Sequence, residues 1–255
     1  MNNLNISTQT INVLKSIIYA LLLWMVLSFL VSISDQLPGL KRFFILLGGG
    51  LSGYIQFLTY IAFFFCILEL NRKQKEIDHE YSAFANDILP IDDQLVLNRD
   101  EVADIKLSVI RMEKQGVNLI TNSLIKKACA QFRNNNSISE TLQVLESQVS
   151  NEKEEIESEL SMVRYLITAM MSLGFIGTLI GLSAAIGNAH LAKTEEGMSI
   201  LTGYLNFAFD TTLVALALGL IINYLYYKYI EDIDKFFAKS KSYIIDNLIS
   251  RIYLR

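Results

Sequence analysis

The chain has 255 residues, of which 52% are hydrophobic and only 19% charged, and its formal net charge is −4. A mean hydropathy of +0.35 excludes an ordinary soluble domain. With no concentrated basic surface in the sequence, nucleic-acid binding is set aside as well.

The apolar residues gather in four blocks, residues 13–34, 43–70, 163–188 and 200–227, each meeting the roughly 20 residues a helix needs to cross a bilayer core. The N-terminus lacks the basic region and small-residue cleavage site of a secretory signal, so the first block is expected to remain in the mature protein. Between the first two blocks stand Asp35, Pro38, Gly39, Lys41 and Arg42. Proline and glycine stop helix propagation and the charges favour water, so this pair reads as a helical hairpin. A second short link, about residues 189–198, joins the last two blocks and carries Lys193 against Glu195 and Glu196.

Basic residues concentrate after the second block (Arg72, Lys73, Lys75), at the start of the third (Arg164) and after the fourth (Lys228, Lys235, Lys239, Lys241). The excess of such residues on cytoplasmic flanks places both termini and the central region inside, with Lys41 and Arg42 counting the other way.

Residues 71–162 contain a single proline, Pro90, and long apolar periodicities, which predict helices rather than sheet. An amphipathic helix begins near Asp100 with Val102, Ile105, Val109 and Met112 on one face, a possible kink at Gly116, and a partner expected among the long rods that follow. After the Asn134–Asn136 turn, Ser137 and Glu140 have the form of a capping box. Leu142, Leu145, Val149, Ile156, Leu160 and Val163 then make a stripe running without a breaker into the third block, predicting one rod. Glu152 occupies the missing position of that stripe, so the seam is expected to be partly wet. Ile230, Ile233, Phe237, Ile244 and Leu248 extend the fourth helix below the membrane in the same way. The charge runs beside these stripes read as solvated helix faces. Cys66 and Cys129 are too few and too differently placed for a disulfide framework or a zinc site, and are expected to be buried reduced thiols.

In the third block, Gly174, Thr178, Gly181, Ala185 and Asn188 fall at helical spacing on one small, polar face, widened by Gly177 and Ala184. The fourth block repeats the pattern with Ala208, Thr212, Ala215, Gly219 and Asn223. Small residues let helix backbones approach in lipid, so packing alone accounts for such stripes. Mid-membrane hydroxyls, at Thr178, Thr211 and Thr212, add the capacity to order water or coordinate an ion at a lower burial cost than a charge. Asp210 is an acid placed inside a span, where a charge costs roughly 2.5–3.5 kcal/mol. It points about 200° away from Thr212 on a helical wheel. Three roles stay open for it: a carboxylate of an ion path, an electrostatic brake or helix cap near a wet pocket, or a residue nearer the membrane edge.

The stretches GFIGTLIGL at 174–182 and FAFDTTLVALALGL at 207–220 together resemble the paired last two transmembrane helices of the MotA/TolQ/ExbB proton-channel family. The resemblance covers about 65 residues. It implies an all-α polytopic membrane protein with four transmembrane helices and a helical cytoplasmic domain, two membrane helices extending as rods into the cytoplasm. The expected division is an N-terminal transmembrane hairpin (1–70), a cytoplasmic helical domain (71–162), a pore-lining hairpin (163–228) and a cytoplasmic C-terminal helix (229–255). It further implies a homopentamer in the bacterial inner membrane, enclosing a dimer of a single-span MotB-, TolR- or ExbD-like partner that supplies the ion-carrying aspartate. H+ or Na+ would be the transported ion, with no other cofactor and no metal centre. Thr178 takes the place of the threonine in the family's G-T-x-x-G element. Thr212, with Thr211 the other possibility, takes the second pore threonine's. The chain departs from the family's TolQ and ExbB pattern in lacking a late proline in the last helix, where Ile221, Ile222 and Asn223 stand, and it shows no charged torque signature of MotA type.

Two function classes follow. One is a stator-like subunit coupling ion motive force to mechanical work; the other is a passive membrane scaffold or sensor whose small stripes serve assembly only. An enzyme is disfavoured, since the two histidines, His79 and His190, fall on opposite sides of this topology with no nucleophile or metal spacing beside them.

Overall fold

The computed structural model describes residues 2–50, 52–85, 88–90 and 96–252, with side chains from Gln9 onward except those of Asp35 and Ala85. Eight α-helices follow one another among the described residues: α1 (Asn2–Ile33), α2 (Pro38–Leu46), α3 (Tyr54–Glu80), α4 (Arg99–Lys114), α5 (Ile120–Asn135), α6 (Ile138–Glu159), α7 (Ser161–Gly187) and α8 (Glu195–Asn247). The described residues form no strand, only an isolated parallel bridge between Leu97 and Ile252. Among the described residues four helical stretches are long and apolar enough to cross a membrane: Gln9–Ile33, Tyr54–Phe84, Ser161–Gly187 and Glu195–Arg251. The protein is an all-α, multi-pass membrane protein.

The chain divides into two compact units, Met1–Arg72 with Ser161–Tyr227, and Lys73–Leu160 with Lys228–Arg255. In the first unit Ala20 and Leu27 (α1) meet Tyr60 (α3) and Val214 (α8) in one buried cluster, ringed by Leu23, Phe57, Phe64 and Leu218. Outward faces remain apolar, with Leu14, Met25, Phe29, Phe175, Leu213 and Leu220 all exposed, as expected of helices solvated by lipid.

The first link differs from the expectation. Pro38 does not stop a helix but starts one, occupying the first turn of α2, where its missing N–H costs no bond. The second span accordingly begins at Tyr54 rather than residue 43, because Gly48 (φ +91°) and Gly50 (φ +101°) reverse the chain in between. A side chain on Gly49 would lie 2.6 Å from Val31 Cγ2 and 2.9 Å from the Leu27 carbonyl, so this turn is pressed against α1. Glu69 is a second buried acid that the hydropathy reading overlooked. It pairs with Arg72 one turn on and accepts 3.0 Å from Asn12 Nδ2 of α1.

In the second unit α5 lies between α4 and α6, around a core containing Val102, Val109, Leu124, Ile125, Cys129, Phe132, Leu145, Ile244 and Leu248. α4 packs on α5 and shares this core with Ile244 of the α8 rod. Asn98 begins α4 with a full capping box, its Oδ1 accepting from the amides of Asp100 and Glu101 while Glu101 accepts from the Asn98 amide. At the other end Gly116 (φ +92°) terminates the helix instead of kinking it. Its amide donates to the Glu113 carbonyl and that of Val117 to Met112, the paired bonds of a glycine-ended helix. Ser137 supplies only half of a capping box, since its Oγ accepts from the Glu140 amide while the Glu140 carboxylate is held by Asn135.

The stripe from α6 to α7 is interrupted at Leu160, which bonds back to Glu157 in a tighter turn before α7 starts. Leu160 is fully buried, so the break turns an apolar side chain inward. By contrast α8 runs unbroken over 53 residues. Part of each charge run is spent between helices rather than on water: Lys127–Glu152 at 2.9 Å, Lys153–Asp234 at 2.6 Å and Lys241–Glu146 at 2.6 Å. Lys73, itself buried, is paired with Glu76 and Glu159. Both cysteines are free and buried.

Candidate functional site

The site is the seam between α7 and α8, an antiparallel hairpin closed by a 3-10 turn at Ala189–Lys193. Thr194 caps α8 by accepting from the Gly197 amide at 3.0 Å. Why the helices approach so closely is legible in what a methyl group would meet. On Gly174 it would lie 2.6 Å from Ala215 Cβ and 3.2 Å from Thr212 Cα. On Gly177 it would run into the Thr211 side chain, and on Gly181 it would lie 2.7 Å from Ala208 Cβ and 2.8 Å from the Tyr204 carbonyl. Gly174, Gly177, Gly181 and Ala185 are all buried on one side, Ala208, Thr211 and Ala215 on the other. Gly219 sits where the seam loosens, a methyl there coming no nearer than 3.4 Å to Met171. Asn188, at the end of α7, donates its side-chain amide to the Ala184 carbonyl of its own helix at 2.8 Å.

Close approach brings two hydroxyls together at one level. Thr212 Oγ1 (α8) donates to the Gly174 carbonyl of α7 at 2.8 Å, and Thr178 Oγ1 (α7) lies 3.0 Å from the Ala208 carbonyl of α8. The two hydroxyl oxygens are also in direct hydrogen-bond contact with each other. Each hydroxyl has one proton. With the Thr212 proton on Gly174, the Thr178 proton goes either to Ala208 or to Thr212, and in both cases lone pairs remain on the hydroxyl oxygens. Two hydroxyls and two carbonyls thus form a four-oxygen cluster, half-buried at the edge of the seam. It has the chemistry to hold a water molecule or a hard monovalent cation.

Thr211 is buried and its hydroxyl returns to the Phe207 and Ala208 carbonyls of its own helix, at 3.1 and 3.0 Å, so it fills the groove over Gly177. Asp210 is not brought to the threonines. It faces the other way, where Arg42 of α2 grips it with two parallel bonds, Nη1 to Oδ2 at 2.6 Å and Nη2 to Oδ1 at 2.7 Å. The Asp210 side chain is 6% exposed and that of Arg42 41%. A bidentate guanidinium is the strong form of this interaction and compensates a carboxylate that would otherwise be costly to bury. Arg42 is the residue that sequence reasoning missed as a site member. The signal was present as two anomalies, an acid without a partner and a basic residue on the wrong side of the topology, each resolving the other.

Beside the ion pair lies a cavity of about 640 Å³, walled by Ile45, Tyr54, Ile180, Tyr204 and Phe207 and reaching Arg42 and Asp210. Tyr54 also stacks on Phe207 with ring centroids 5.7 Å apart. Among the described residues no group of three or more His, Cys, Asp or Glu side chains has the arrangement of a metal site.

With the seam in view, comparison with known proteins places part of the chain in a family. The model of the MotA/TolQ/ExbB proton channel family fits residues 116–241, just under half of the chain, a segment containing all of α7 and the four-oxygen cluster. No curated protein and no solved structure matches.

Proposed function

From the membership of residues 116–241 in the MotA/TolQ/ExbB proton channel family, we propose that the chain is a subunit of an ion-motive-force-driven channel motor. Its oligomer, a homopentamer, surrounds a dimer of a single-span MotB-, TolR- or ExbD-like partner in the bacterial inner membrane, with both termini cytoplasmic. H+ or Na+ crosses between the partner's membrane aspartate and the hydroxyls of Thr178 and Thr212, and its passage turns the oligomer about the partner. Each elementary charge releases about 2.3 kcal/mol per 100 mV, enough over several ions to drive a mechanical step. Gly174, Gly177, Gly181, Ala185, Ala208, Ala215 and Gly219 hold the hairpin together, Thr211 fills the groove and Asn188 caps α7. In this reading Asp210, matched by Arg42, fixes the wall of the path rather than carrying the ion.

The observation that carries the proposal is the reciprocal pair of threonine hydroxyls, one from each helix, meeting at one level at the edge of the seam. The scaffold reading is favoured by one fact about the same atoms: both protons already have acceptors inside the chain. Thr→Val and Thr→Ser substitutions at positions 178 and 212 separate the two. Valine keeps the shape and removes the oxygen; serine keeps the oxygen. Partner-dependent ion flux into vesicles is expected to collapse in the double valine variant and survive in the double serine variant. Equal flux in both would leave the hydroxyls as packing groups and support the scaffold.

A further inference from the structure

None of the nine residues of α2 is buried, yet the helix is fastened to α8 at one point, by the paired bonds from Arg42 to Asp210. Its sequence, PGLKRFFIL, is two-sided. At about 100° per residue, Leu40 and Phe43 lie about 60° apart, and their mean direction is about 180° from that of Lys41 and Arg42. Leu40 and Phe43 are 47% and 53% exposed, and Leu37, which precedes the helix, is 61% exposed. In the chain they follow Phe29 and Ile33, exposed apolar residues at the end of α1. Phe44 and Leu46 instead pack against the buried cluster of α1, α3 and α8.

What covers Leu37, Leu40 and Phe43 follows from their depth. Exposed Tyr165, Tyr224 and Tyr227 mark one edge of the first unit, beside Arg164, as an aromatic belt does at a bilayer surface. Counted at roughly 1.5 Å per residue, Asp210 lies about 26 Å along α8 from Tyr227, and Tyr54 about 27 Å along α3 from Arg72. The ring contact of Tyr54 with Phe207 keeps these two counts in step. Asn12 against Glu69 and Trp24 against Phe57 set α1 on α3 in a single register, in which Leu27 stands level with Tyr54. Ile33 is then about 9 Å farther from the belt. The turn after α2 returns to the level of Leu27 and Val31, on which Gly49 is pressed. A hydrocarbon core is about 30 Å thick, and each headgroup layer adds roughly 5–7 Å. The helix therefore starts beyond Ile33 and ends at the core boundary, descending obliquely through the headgroup layer with Phe43 nearer the tails than Leu40. That layer suits a helix with one apolar and one basic edge.

We propose that α2 is an interfacial helix, with Leu37, Leu40 and Phe43 immersed in the phospholipid headgroup layer of one leaflet and Arg42 passing that fixed depth to α8 through Asp210. In the orientation proposed above this is the outer leaflet, although the depth itself does not depend on the orientation. The α7–α8 hairpin is thereby kept from sliding along the membrane normal.

The test uses the full chain carrying Leu40→Cys or Phe43→Cys, labelled with a nitrobenzoxadiazole fluorophore and reconstituted into phosphatidylcholine vesicles. Native Cys66 and Cys129 are buried, and the unsubstituted chain supplies the blank. Nitroxide lipids labelled at the headgroup or near the end of the acyl chain report depth. Both probes are expected to be quenched several-fold more by the headgroup nitroxide, with Phe43→Cys the deeper of the two. Leu22→Cys, on an exposed residue about 8 Å nearer the belt than Leu27, should show the reverse order. Adding Arg42→Gln with Asp210→Asn removes the fastening without leaving a buried charge, and should lower the headgroup preference at positions 40 and 43 at least two-fold. Quenching by aqueous iodide and by neither nitroxide would leave α2 in water and overturn the proposal. Stronger quenching from the chain end, or a cross-link from Leu40→Cys to a second copy with no lipid quenching, would overturn it too. An unchanged preference without the ion pair would overturn the role given to Arg42. Because neither flux nor the threonines enter the measurement, its failure would leave the motor reading standing, and failure of the motor reading would leave α2 at its depth.

Discussion

Gly181→Ala is a small change with a calculable consequence. Alanine in a helix interior is ordinarily favoured over glycine by about 1 kcal/mol. At position 181, however, the new methyl would stand 2.7 Å from Ala208 Cβ and 2.8 Å from both the Ala208 amide nitrogen and the Tyr204 carbonyl. Two of these three are backbone atoms and cannot swing aside, so the helix axes must separate. Overpacking of this kind costs roughly 1–3 kcal/mol, and separation also stretches the Thr212–Gly174 and Thr178–Ala208 bonds, each worth about 1 kcal/mol. The net expectation is destabilisation by about 1–3 kcal/mol after the helix-propensity gain is subtracted. Gly187→Ala, on the same helix with nothing within 4 Å of the new methyl, provides the matched control and is expected to be neutral or slightly stabilising. Unfolding of the purified chain in a denaturing-detergent titration, followed by circular dichroism, reads the difference. Partner-dependent flux should fall in the first variant only. Should the two variants unfold together, the close-contact account of the seam is wrong.

Arg42→Gln leaves the Asp210 carboxylate buried without its cation. It should destabilise by about 2–4 kcal/mol, while Arg42→Gln with Asp210→Asn should recover at least half of that, a coupling that a double-mutant cycle on unfolding measures. Asn98→Ala removes the cap of α4 and should cost about 1 kcal/mol in the same titration, with Asn98→Asp close to neutral. Burial pushes the Cys129 thiol up to about 12 from its ordinary value near 9, Lys106 opposing the shift. Native protein at pH 8 should therefore leave this thiol unlabelled by a maleimide until it unfolds. Because the folded-state value is the higher one, the thiol's contribution to stability is complete below pH 9 and is lost as pH rises from 9 towards 12, a loss that Cys129→Ala should abolish.

What could be read from the chain and what could not divides along sequence separation. The faces of α7 and α8 were legible because Gly174, Gly181 and Ala185 repeat with the helix period and their partners lie in the next element. Thr178 and Thr212 could be paired on the same grounds. Arg42 and Asp210 stand 168 positions apart, and no local periodicity relates them. Only charge bookkeeping across the whole bilayer could have done so. Asn12 and Glu69 are missed for the same reason. Boundaries failed where one residue type serves opposite purposes: Pro38 opens a helix when it comes first, and Gly116 closes one when it follows the last turn, yet both look like generic breakers in a linear reading. The start of α3 was misplaced because Gly48, Gly49 and Gly50 are apolar on a hydropathy scale while their backbone makes a turn.

The crossed bonds between Thr178 and Ala208, and between Thr212 and Gly174, act as a rivet through two rods. Either rod could spin or slip past its neighbour only by shearing both bonds at once while the glycine face of α7 lost its fit against α8. A subunit that does mechanical work would therefore carry this hairpin through its stroke as a single stiff blade, and the compliance of the stroke would lie at whatever surfaces the blade meets.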